Sequence, residues 1–502
     1  MSTAKIRLEH LYTDLADSMS QLREDHDAVR RSRKIVNNAL LDGEAHYGIN
    51  TGFGVLANKR ISNDELATLQ KNILLSHACG MGEPVPPKIT RLMLQLKIQS
   101  LSLGYSGVSE QTFAQLLVLD QHNILPWIPS RGSVGASGDL APLAHMCLPL
   151  IGRGVVWDES HSHKVPAKKL LQAQGIKPVE LGAKDGLALI NGTQMMAAYG
   201  AYVLERTIKL QREADLLAAM SLEALQGSAS PFDERIHAIR PHPGQQAVAS
   251  NIRKLLEGSE IMISHRHCGK VQDPYSLRCV PQVHGASRDA LDYARKCVET
   301  ELNSVTDNPL VFEQGDIISG GNFHGQPLAL AMDFAAIALA ELASISERRT
   351  YLLLEGHDGL PKLLMHDTGV NSGFMIPQYT AAALVSENKI LCHPASVDSI
   401  PTSLGQEDHV SMGSISAFKL LGVLKNVERV LAVELLTASQ ALDFRHALSP
   451  GYGVSLAHKA LRQEIKHAVK DYEVKNDLDQ CIDMLRNGSL LKVVEDELGV
   501  LG

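Results

Sequence analysis

Apolar positions recur at helical spacing along two long stretches in the second half of the chain. From Leu328 onward, Leu, Met, Ala and Ile side chains fall three and four residues apart for about eight turns, which predicts one apolar stripe along a long helix. The stretch from Gly413 to about Phe444 repeats this pattern at similar length. Stripes wider than one chain can cover are typical of helix bundles that bury them between subunits. The pattern therefore predicts a mainly α fold built on a long-helix bundle.

Shorter patterns predict the remaining elements. Residues 1–40 are polar and charged and are expected to form a helical lead-in, and a further helix is expected over Asp64–Leu75. The Ala- and Leu-rich sequence from Met195 to about Gln226 predicts one or two long helices. Prolines and glycines in 227–275 predict that helix gives way to loop there, and Leu310–Ile318 is predicted as one short strand-like piece.

Length and composition refine this organisation. A chain of 502 residues exceeds one ordinary core. We expect a loop-rich α+β N-terminal part over 1–200, a central long-helix bundle over 201–445 and a peripheral helical segment over 446–502. Aromatic residues make up only 4% of the chain, and the abundance of Ala and Leu favours helix over sheet.

Charge and cysteine usage exclude several functional classes. The formal net charge is −8 and no long basic run is present, so binding to nucleic acid or to an anionic membrane has little support. No uncharged apolar run approaches the length of a membrane span, and the first residues lack an apolar signal segment. Seven scattered cysteines without C-x-x-C pairs predict reduced thiols and no zinc site. We therefore expect a cytoplasmic protein without a metal.

The stretch 131–145, Arg-Gly-Ser-Val-Gly-Ala-Ser-Gly-Asp-Leu-Ala-Pro-Leu-Ala-His, holds the candidate chemistry. Glycines at spacing three predict a tightly bent loop. A phosphate loop requires Lys and Ser/Thr after its last Gly, whereas Asp139 follows here, and the G-x-S-x-G nucleophile elbow does not match either. In a bent loop the Gly138 nitrogen is able to attack the Ala136 carbonyl. Loss of two waters, one from Ser137, leaves a five-membered ring with an exocyclic methylene, although Ala-Ser-Gly alone occurs by chance in many chains.

The longer string, from Gly132 to His145, closely resembles the cofactor loop of the histidine and aromatic amino-acid ammonia-lyases. In that family the tripeptide becomes 4-methylidene-imidazole-5-one (MIO). The resemblance implies the same for Ala136-Ser137-Gly138, together with a fold of the ammonia-lyase and fumarase-like type whose N-terminal part carries the loop. It extends over about residues 40 to 445 as a series of motifs in order.

Three further motifs in the first half support this resemblance. The loop 47–54, Tyr-Gly-Ile-Asn-Thr-Gly-Phe-Gly, is similar to the family loop that carries the catalytic Tyr, which implies this role for Tyr47. Ser-His at 76–77 is the pair seen in histidine-using members, so His77 is implied in substrate binding. Asn191 follows an apolar segment and is implied as a donor near the new ring. Taken alone, a Tyr is more often a packed ring and a lone His more often structural, while a buried Asn is either structural or a donor at a site.

Three motifs in the second half complete the implied site. The string 272–279, Gln-Asp-Pro-Tyr-Ser-Leu-Arg-Cys, closely matches the family's carboxylate-binding segment, which implies substrate binding by Gln272, Tyr275 and Arg278. A planar guanidinium suits a carboxylate, although the usual fate of a lone Arg is an ion pair. The segment around Phe323 also resembles the family and implies a substrate contact. The string Gln-Glu-Asp-His-Val-Ser-Met resembles the histidine-using form and assigns Glu407 to the imidazole.

Together these motifs imply an enzyme that converts L-histidine to trans-urocanate and ammonia. Tyr47 is expected to remove the β-proton in a homotetramer whose subunits share active sites. The alternatives are a tyrosine or phenylalanine ammonia-lyase, an MIO aminomutase, and a non-catalytic helical scaffold. The intact Ala-Ser-Gly, Tyr47 and Arg278 argue against a scaffold, and the Gly-Ser-Ser-x-Met-Pro loop of fumarase-type lyases has no counterpart in the chain.

Overall fold

The computed structural model of the protein describes residues 5–54, 57, 59–266 and 269–502. Cys268 lies outside the described residues, as do the first four residues of the expected lead-in. The chain forms two compact units. Unit 1 comprises Met1–Tyr202, Arg295–Asp333 and Pro394–Phe418, and unit 2 comprises Val203–Ala294, Phe334–His393 and Lys419–Gly502. The division into three consecutive segments stays a prediction.

Helices account for most of the described chain, which confirms the mainly α class. In chain order the α-helices are α1 (Leu11–Leu22), α2 (Asp27–Ala39), α3 (Leu66–His77), α4 (Pro87–Ser102), α5 (Glu110–Gln121), α6 (Leu140–Cys147), α7 (Ala167–Ala173), α8 (Asp185–Ile190), α9 (Gln194–Ala224), α10 (Glu234–Ala238), α11 (Pro243–Leu255), α12 (Glu260–Ser264), α13 (Tyr275–Arg278), α14 (Val280–Leu302), α15 (Gln326–Leu354), α16 (Met375–Leu391), α17 (Gly413–Asp443), α18 (Tyr452–Glu464), α19 (Lys475–Asn487) and α20 (Ser489–Leu498).

The described strands are short and form two-stranded antiparallel sheets, all within unit 1. They are β1 (Met81–Pro84) with β2 (Pro129–Arg131), β3 (Val155–Trp157) with β4 (Lys164–Pro166), and β5 (Leu310–Val311) with β6 (Ile317–Ile318). The α+β character predicted for the N-terminal part is therefore present alongside its helices.

The periodic patterns located the long helices well. The stripe from Leu328 lies on α15, the stripe from Gly413 lies on α17, and the Ala/Leu-rich stretch is the single helix α9. In each case an apolar stripe extends over many turns, which is the strongest helical signal a sequence carries.

Two local predictions were wrong. The stretch 227–275 contains α10, α11 and α12 rather than loop alone. Pro243 is the first residue of α11, where its missing N–H would have no helical partner in any case, so it begins a helix instead of interrupting one. The piece Leu310–Ile318 is not one strand but a hairpin in which Leu310 pairs with Ile318 and Val311 with Ile317.

One described helix, α15, is long and apolar enough to cross a membrane by length and composition, and 67% of its apolar stretch is buried inside the protein. Asp333 and Glu341 interrupt this helix, so the prediction that no uncharged apolar run reaches the length of a span holds for α15, and its burial is that of a core helix. The six described cysteines are free thiols.

The bent part of the 131–145 stretch, residues 132–139, lies between β2 and α6 in unit 1. Strand β2 leads into this loop, and α6 begins directly after it and packs against α3 and α8. Helix α3 ends at His77, and Asn191 follows α8. On another side, Ala136 is buried in a small apolar cluster with Val410 and Met412. These contacts place chemistry-bearing residues of distant sequence around one loop.

Candidate active site

The bend of the loop depends on a glycine at position 138. Gly138 has a φ of +75°, and a Cβ added to it would lie 1.9 Å from the carbonyl oxygen of Gly192. The two glycines are paired in a parallel bridge, and the next amide, of Asp139, donates to that same oxygen at 2.7 Å. The close approach of the two backbones therefore excludes any side chain here.

Polar side chains hold the carbonyl groups on either side of Ala136. The Ser411 hydroxyl donates to the Gly135 carbonyl at 3.0 Å, and the Asn191 amide donates to the Ser137 carbonyl at 3.1 Å. The Ser133 hydroxyl donates to the Gly138 carbonyl at 3.4 Å. The loop is thus fixed on both sides of the tripeptide.

The two groups that would react in a cyclisation, one amide nitrogen and one carbonyl, are not held by hydrogen bonds as their neighbours are. Neither the N–H of Gly138 nor the carbonyl of Ala136 forms a hydrogen bond within the part of the chain that the structure describes. An amide nitrogen and a carbonyl in a tight loop, with their flanking groups held, are the arrangement that the implied ring requires. The residues present therefore fit the group that the resemblance implies.

Glu407 lies against the central residue of the tripeptide. The Ser137 hydroxyl donates to one carboxylate oxygen of Glu407 at 3.0 Å, and the Thr402 hydroxyl donates to the other at 2.7 Å. Backbone hydrogen bonds in both directions between Thr402 and Glu407 hold the turn that presents this carboxylate. Two residues 270 positions apart in sequence are thereby brought into contact.

A cavity of about 760 Å³ in unit 1 opens onto these groups. Among the residues lining it are Tyr47, His77, Ser137, Asn191 and Glu407. The structure therefore brings together five of the residues that the sequence singled out, each from a separate stretch of chain.

Tyr47 is half-buried, and its phenol oxygen accepts a hydrogen bond from the amide of Gly54 at 3.3 Å. Burial raises the pKa of Tyr47 above its ordinary value; the amide of Gly54 opposes this shift, and the carboxylates of Glu407 and Asp307 add to it. Within one chain, the surroundings of this phenol favour its protonated form.

His77 occupies the last position of α3. Its Nδ1 atom lies 3.0 Å from the Ser76 hydroxyl. Burial lowers the pKa of His77, while the nearby carboxylate of Glu407 raises it. Desolvation is the larger effect, so the neutral imidazole is favoured at neutral pH.

The predicted carboxylate-binding residues lie in unit 2. Gln272, Tyr275 and Arg278 line a cavity of about 540 Å³ in that unit. The Arg278 guanidinium carbon is 4.7 Å from the centre of the Tyr275 ring, and its Nε atom is buried without a hydrogen-bond partner among the described residues. Tyr275 is 71% exposed.

Phe323 belongs to unit 1, where it is half-buried in the turn before α15, and it does not line the cavity of that unit. Among the described residues, no three His, Cys, Asp or Glu side chains are grouped as metal ligands are.

Three polar residues around the loop, of which Ser411 and Lys97 are buried and Ser133 is half-buried, were not identified from the sequence. Ser411 and Ser133 hold its carbonyls, and Lys97 donates to the carbonyl of Asn191 at 2.7 Å. A serine in a loop has no sequence pattern from which such a role is predicted. Lys97 had one, because it is the only charged residue in the apolar run from Leu92 to Leu101.

Comparison with known proteins agrees with this geometry. A family model described as aromatic amino acid lyase matches residues 12–466. The chain is 50% identical over 479 residues to a histidine ammonia-lyase of Gloeobacter violaceus, covering 95% of this chain and 93% of that one. The crystal structure of histidine ammonia-lyase from Trypanosoma cruzi has a TM-score of 0.87 and 41% identity, covering 93% of this chain and 89% of that chain.

A tyrosine aminomutase from Streptomyces globisporus has a TM-score of 0.91 and 34% identity, covering 100% of this chain and 99% of that chain. The family model spans most of the chain, and a relative is half identical to it over nearly the whole length. The chain therefore belongs to the aromatic amino acid lyase family, as its motifs indicated.

Proposed function

We propose that this protein is a histidine ammonia-lyase that converts L-histidine to trans-urocanate and ammonia. The observation that carries the proposal is the meeting of Tyr47, His77 and Glu407 with the Ala136-Ser137-Gly138 loop at one cavity. Relatives named histidine ammonia-lyase, half identical over nearly all of the chain, support the choice of substrate.

The cofactor would form from the chain itself. The Gly138 nitrogen bonds to the Ala136 carbonyl carbon, and the carbonyl oxygen leaves as water with the amide hydrogens of Gly138 and Ser137. The Ser137 hydroxyl then leaves with the α-hydrogen as a second water. The free Gly138 amide and the contact of Ser137 with Glu407 support these steps. The resulting MIO ring would supply an electrophile for the amine of the substrate.

Tyr47 is the proposed base for the β-proton of the substrate. A phenol acts as a base only in its deprotonated form, and burial together with two carboxylates disfavours that form in a single chain. A positive charge near the phenol would reverse this, since opposite charges favour ionisation. The ammonium of the substrate and the guanidinium of Arg278 are the two cations that the proposed reaction brings to the site.

Arg278, with Tyr275 and Gln272, is the proposed fork for the substrate carboxylate. These residues line a cavity of unit 2, whereas Tyr47 and the loop belong to unit 1. We infer a homotetramer with shared active sites, because the proposed site draws on distant stretches of chain and the long helices α15 and α17 carry apolar stripes suited to burial between subunits. The 71% exposure of Tyr275 suits a residue that becomes covered on assembly.

His77 and Glu407 are the proposed selectors of the imidazole ring. An imidazole has one donor and one acceptor nitrogen when neutral, so it pairs with polar groups that a phenyl ring leaves unsatisfied. The Nδ1 atom of His77 is engaged by Ser76, which leaves Nε2 to face a ligand. Phe323 stays a proposed substrate contact, and Asn191 a proposed donor to the ring.

The remaining attributes follow the same proposal. We infer a cytoplasmic enzyme that uses no metal and binds neither nucleic acid nor membrane, since it acts on a small amino acid and carries a net charge of −8.

Product analysis tests the substrate. The purified enzyme is given histidine, tyrosine and phenylalanine separately, and we expect urocanate to form at least roughly tenfold faster than coumarate or cinnamate, given one unmatched buried polar group. A faster reaction with tyrosine or phenylalanine would refute the histidine assignment. Accumulation of a β-amino acid would identify an aminomutase, the activity named for the Streptomyces globisporus neighbour.

Subunit mixing tests the shared site. Tyr47→Phe and Arg278→Ala variants, each nearly inactive, should regain part of the activity when their subunits are exchanged, because some sites then combine an intact Tyr47 with an intact Arg278. Mixing two separately prepared batches of Tyr47→Phe is the matched control. Absence of recovery after verified exchange would exclude sharing.

A further inference from the structure

A fully buried lysine, Lys97, contacts the segment that holds the 131–145 loop. Lys97 is 1% exposed and belongs to α4, between Leu96 and Ile98 in a part of the helix that is buried on every side. Burying an ammonium group is unfavourable unless specific polar partners compensate it, and an apolar side chain would fill the same space without that cost. The presence of a charge here therefore requires a reason beyond packing.

The hydrogen-bond partner of Lys97 belongs to the segment 191–192, which holds the loop. Its Nζ atom donates to the carbonyl of Asn191 at 2.7 Å. On the loop side, the Asn191 side chain donates to the Ser137 carbonyl at 3.1 Å, and the Gly192 carbonyl accepts the amide of Asp139 at 2.7 Å. Residues 191–192 thus lie between the lysine and the tripeptide, and they hold it on both sides of Gly138.

The charges around Lys97 fit a group that stays protonated although it is buried. Asp307 and Asp139, both buried, favour the ammonium, whereas burial and Lys184 oppose it. Burial lowers the pKa of Lys97 to about 8, so the cation persists at neutral pH. A charged donor forms a stronger hydrogen bond than a neutral one.

We propose that Lys97 is a positioning residue for the cyclisation of Ala136-Ser137-Gly138, acting by fixing the Asn191–Gly192 segment against which the loop is bent. The inference rests on the proposed function, because it presumes that the loop cyclises. Ring closure requires the Gly138 nitrogen to stay within bonding approach of the Ala136 carbonyl, and such reactions lose rate steeply when the geometry loosens.

The test compares two buried lysines of unit 1. Lys97→Met removes the donor and keeps the length of the side chain. Lys184→Met is the matched control, because Lys184 is also fully buried but pairs with Asp307 at 2.7 Å. Among the described residues, its ammonium group forms no hydrogen bond with 191–192. Intact and peptide masses give the fraction of chains lighter by two waters, and thermal denaturation gives the stability of each variant.

We expect the rate of cyclisation in Lys97→Met to fall roughly tenfold or more, in keeping with the cost of misplacing reacting groups. Lys184→Met should lower stability yet cyclise fully, and Lys97→Arg should restore cyclisation because it retains a charged donor. A wild-type rate of cyclisation in Lys97→Met, from masses sampled over time after synthesis, would overturn the proposal. So would a loss in both variants in proportion to their loss of stability, since that pattern indicates a merely structural role.

Two further readouts separate the possible failures. If Lys97→Met does not fold, Lys97→Gln replaces it in the test, because glutamine is a neutral hydrogen-bond donor with a shorter side chain. Cyclisation of Lys97→Gln at the wild-type rate would show that the ammonium group is not needed. If the wild-type chain itself shows no loss of water, the proposed function fails rather than the role of Lys97.

Discussion

Replacing Gly138 by alanine isolates the close approach on which the loop is built. An alanine there has two separate costs. The left-handed backbone, with φ at +75°, costs about 1–2 kcal/mol for any residue with a Cβ. The Cβ would also lie 1.9 Å from the Gly192 oxygen, so one of the two backbones must move.

That movement would break the hydrogen bonds that join the two segments. The amide of Asp139 donates to Gly192 at 2.7 Å and the side chain of Asn191 donates to Ser137 at 3.1 Å. Each such bond contributes about 1 kcal/mol. We therefore expect Gly138→Ala to lower the free energy of unfolding by about 3–4 kcal/mol in total.

Gly43→Ala provides the control for the backbone term alone. Gly43 has a φ of +86°, but a Cβ there would have no atom within 4 Å. Both substitutions are made in a Ser137→Ala chain, which lacks the leaving hydroxyl, so that no methylene complicates the comparison. Urea denaturation at one protein concentration gives the two shifts. A Gly138→Ala shift no larger than that of Gly43→Ala would refute the reasoning.

Three further predictions concern the same unit. Ser137→Ala should leave the fold intact, but the mass of this variant should not show the loss of two waters expected of the wild type. A wild-type mass equal to that of the translated sequence would contradict cyclisation. Glu407→Gln should reduce histidine turnover roughly tenfold or more, while exposed Asp408→Asn should change it little, because Glu407 lines the cavity and Asp408 does not. Equal effects would argue against this assignment. Burial raises the pKa of Asp139 to about 7 from 3.8, so its folded form binds the extra proton. The free energy of unfolding should therefore fall as pH rises from about 4 to about 7, and the fall should be larger in the wild type than in Asp139→Asn. Parallel curves of unfolding free energy against pH for the two proteins would contradict this prediction.

Much of the fold could be predicted from the sequence, because long helices repeat the same spacing of apolar residues over many turns. Helices α15 and α17 begin and end within a few residues of the predicted positions. Helix α11 was missed because Pro243 was taken as a break, although the same residue is favourable in a first turn. The difference between a helix start and a helix stop depends on the neighbouring geometry, which a short window does not contain.

The candidate site was predicted as a set of residue types but not as an arrangement. The motifs named Ser137 and Glu407 separately, and their contact across 270 positions followed only from the structure. The support from Ser411 was not predictable, because a serine in a loop has an ordinary role in most proteins. Lys97 stood out as a charge among apolar residues, but its partner at Asn191 followed only from the structure. The elevated pKa of Tyr47 also depends on burial and on Glu407, which sequence spacing does not reveal.

The long sequence separations around the loop have a consequence for biosynthesis. The loop is held at the Ser137 carbonyl by Asn191, 54 positions downstream, and at the Gly135 carbonyl by Ser411, 276 positions downstream. A ribosome adds residues in order, so the loop emerges long before its last partners. Contacts between residues so far apart in sequence form late in folding. A ring that depends on these contacts would close only in chains whose unit 1 has completed its tertiary structure. The two missing waters would then serve as a permanent chemical record that a given molecule once folded correctly, readable even after it has been denatured.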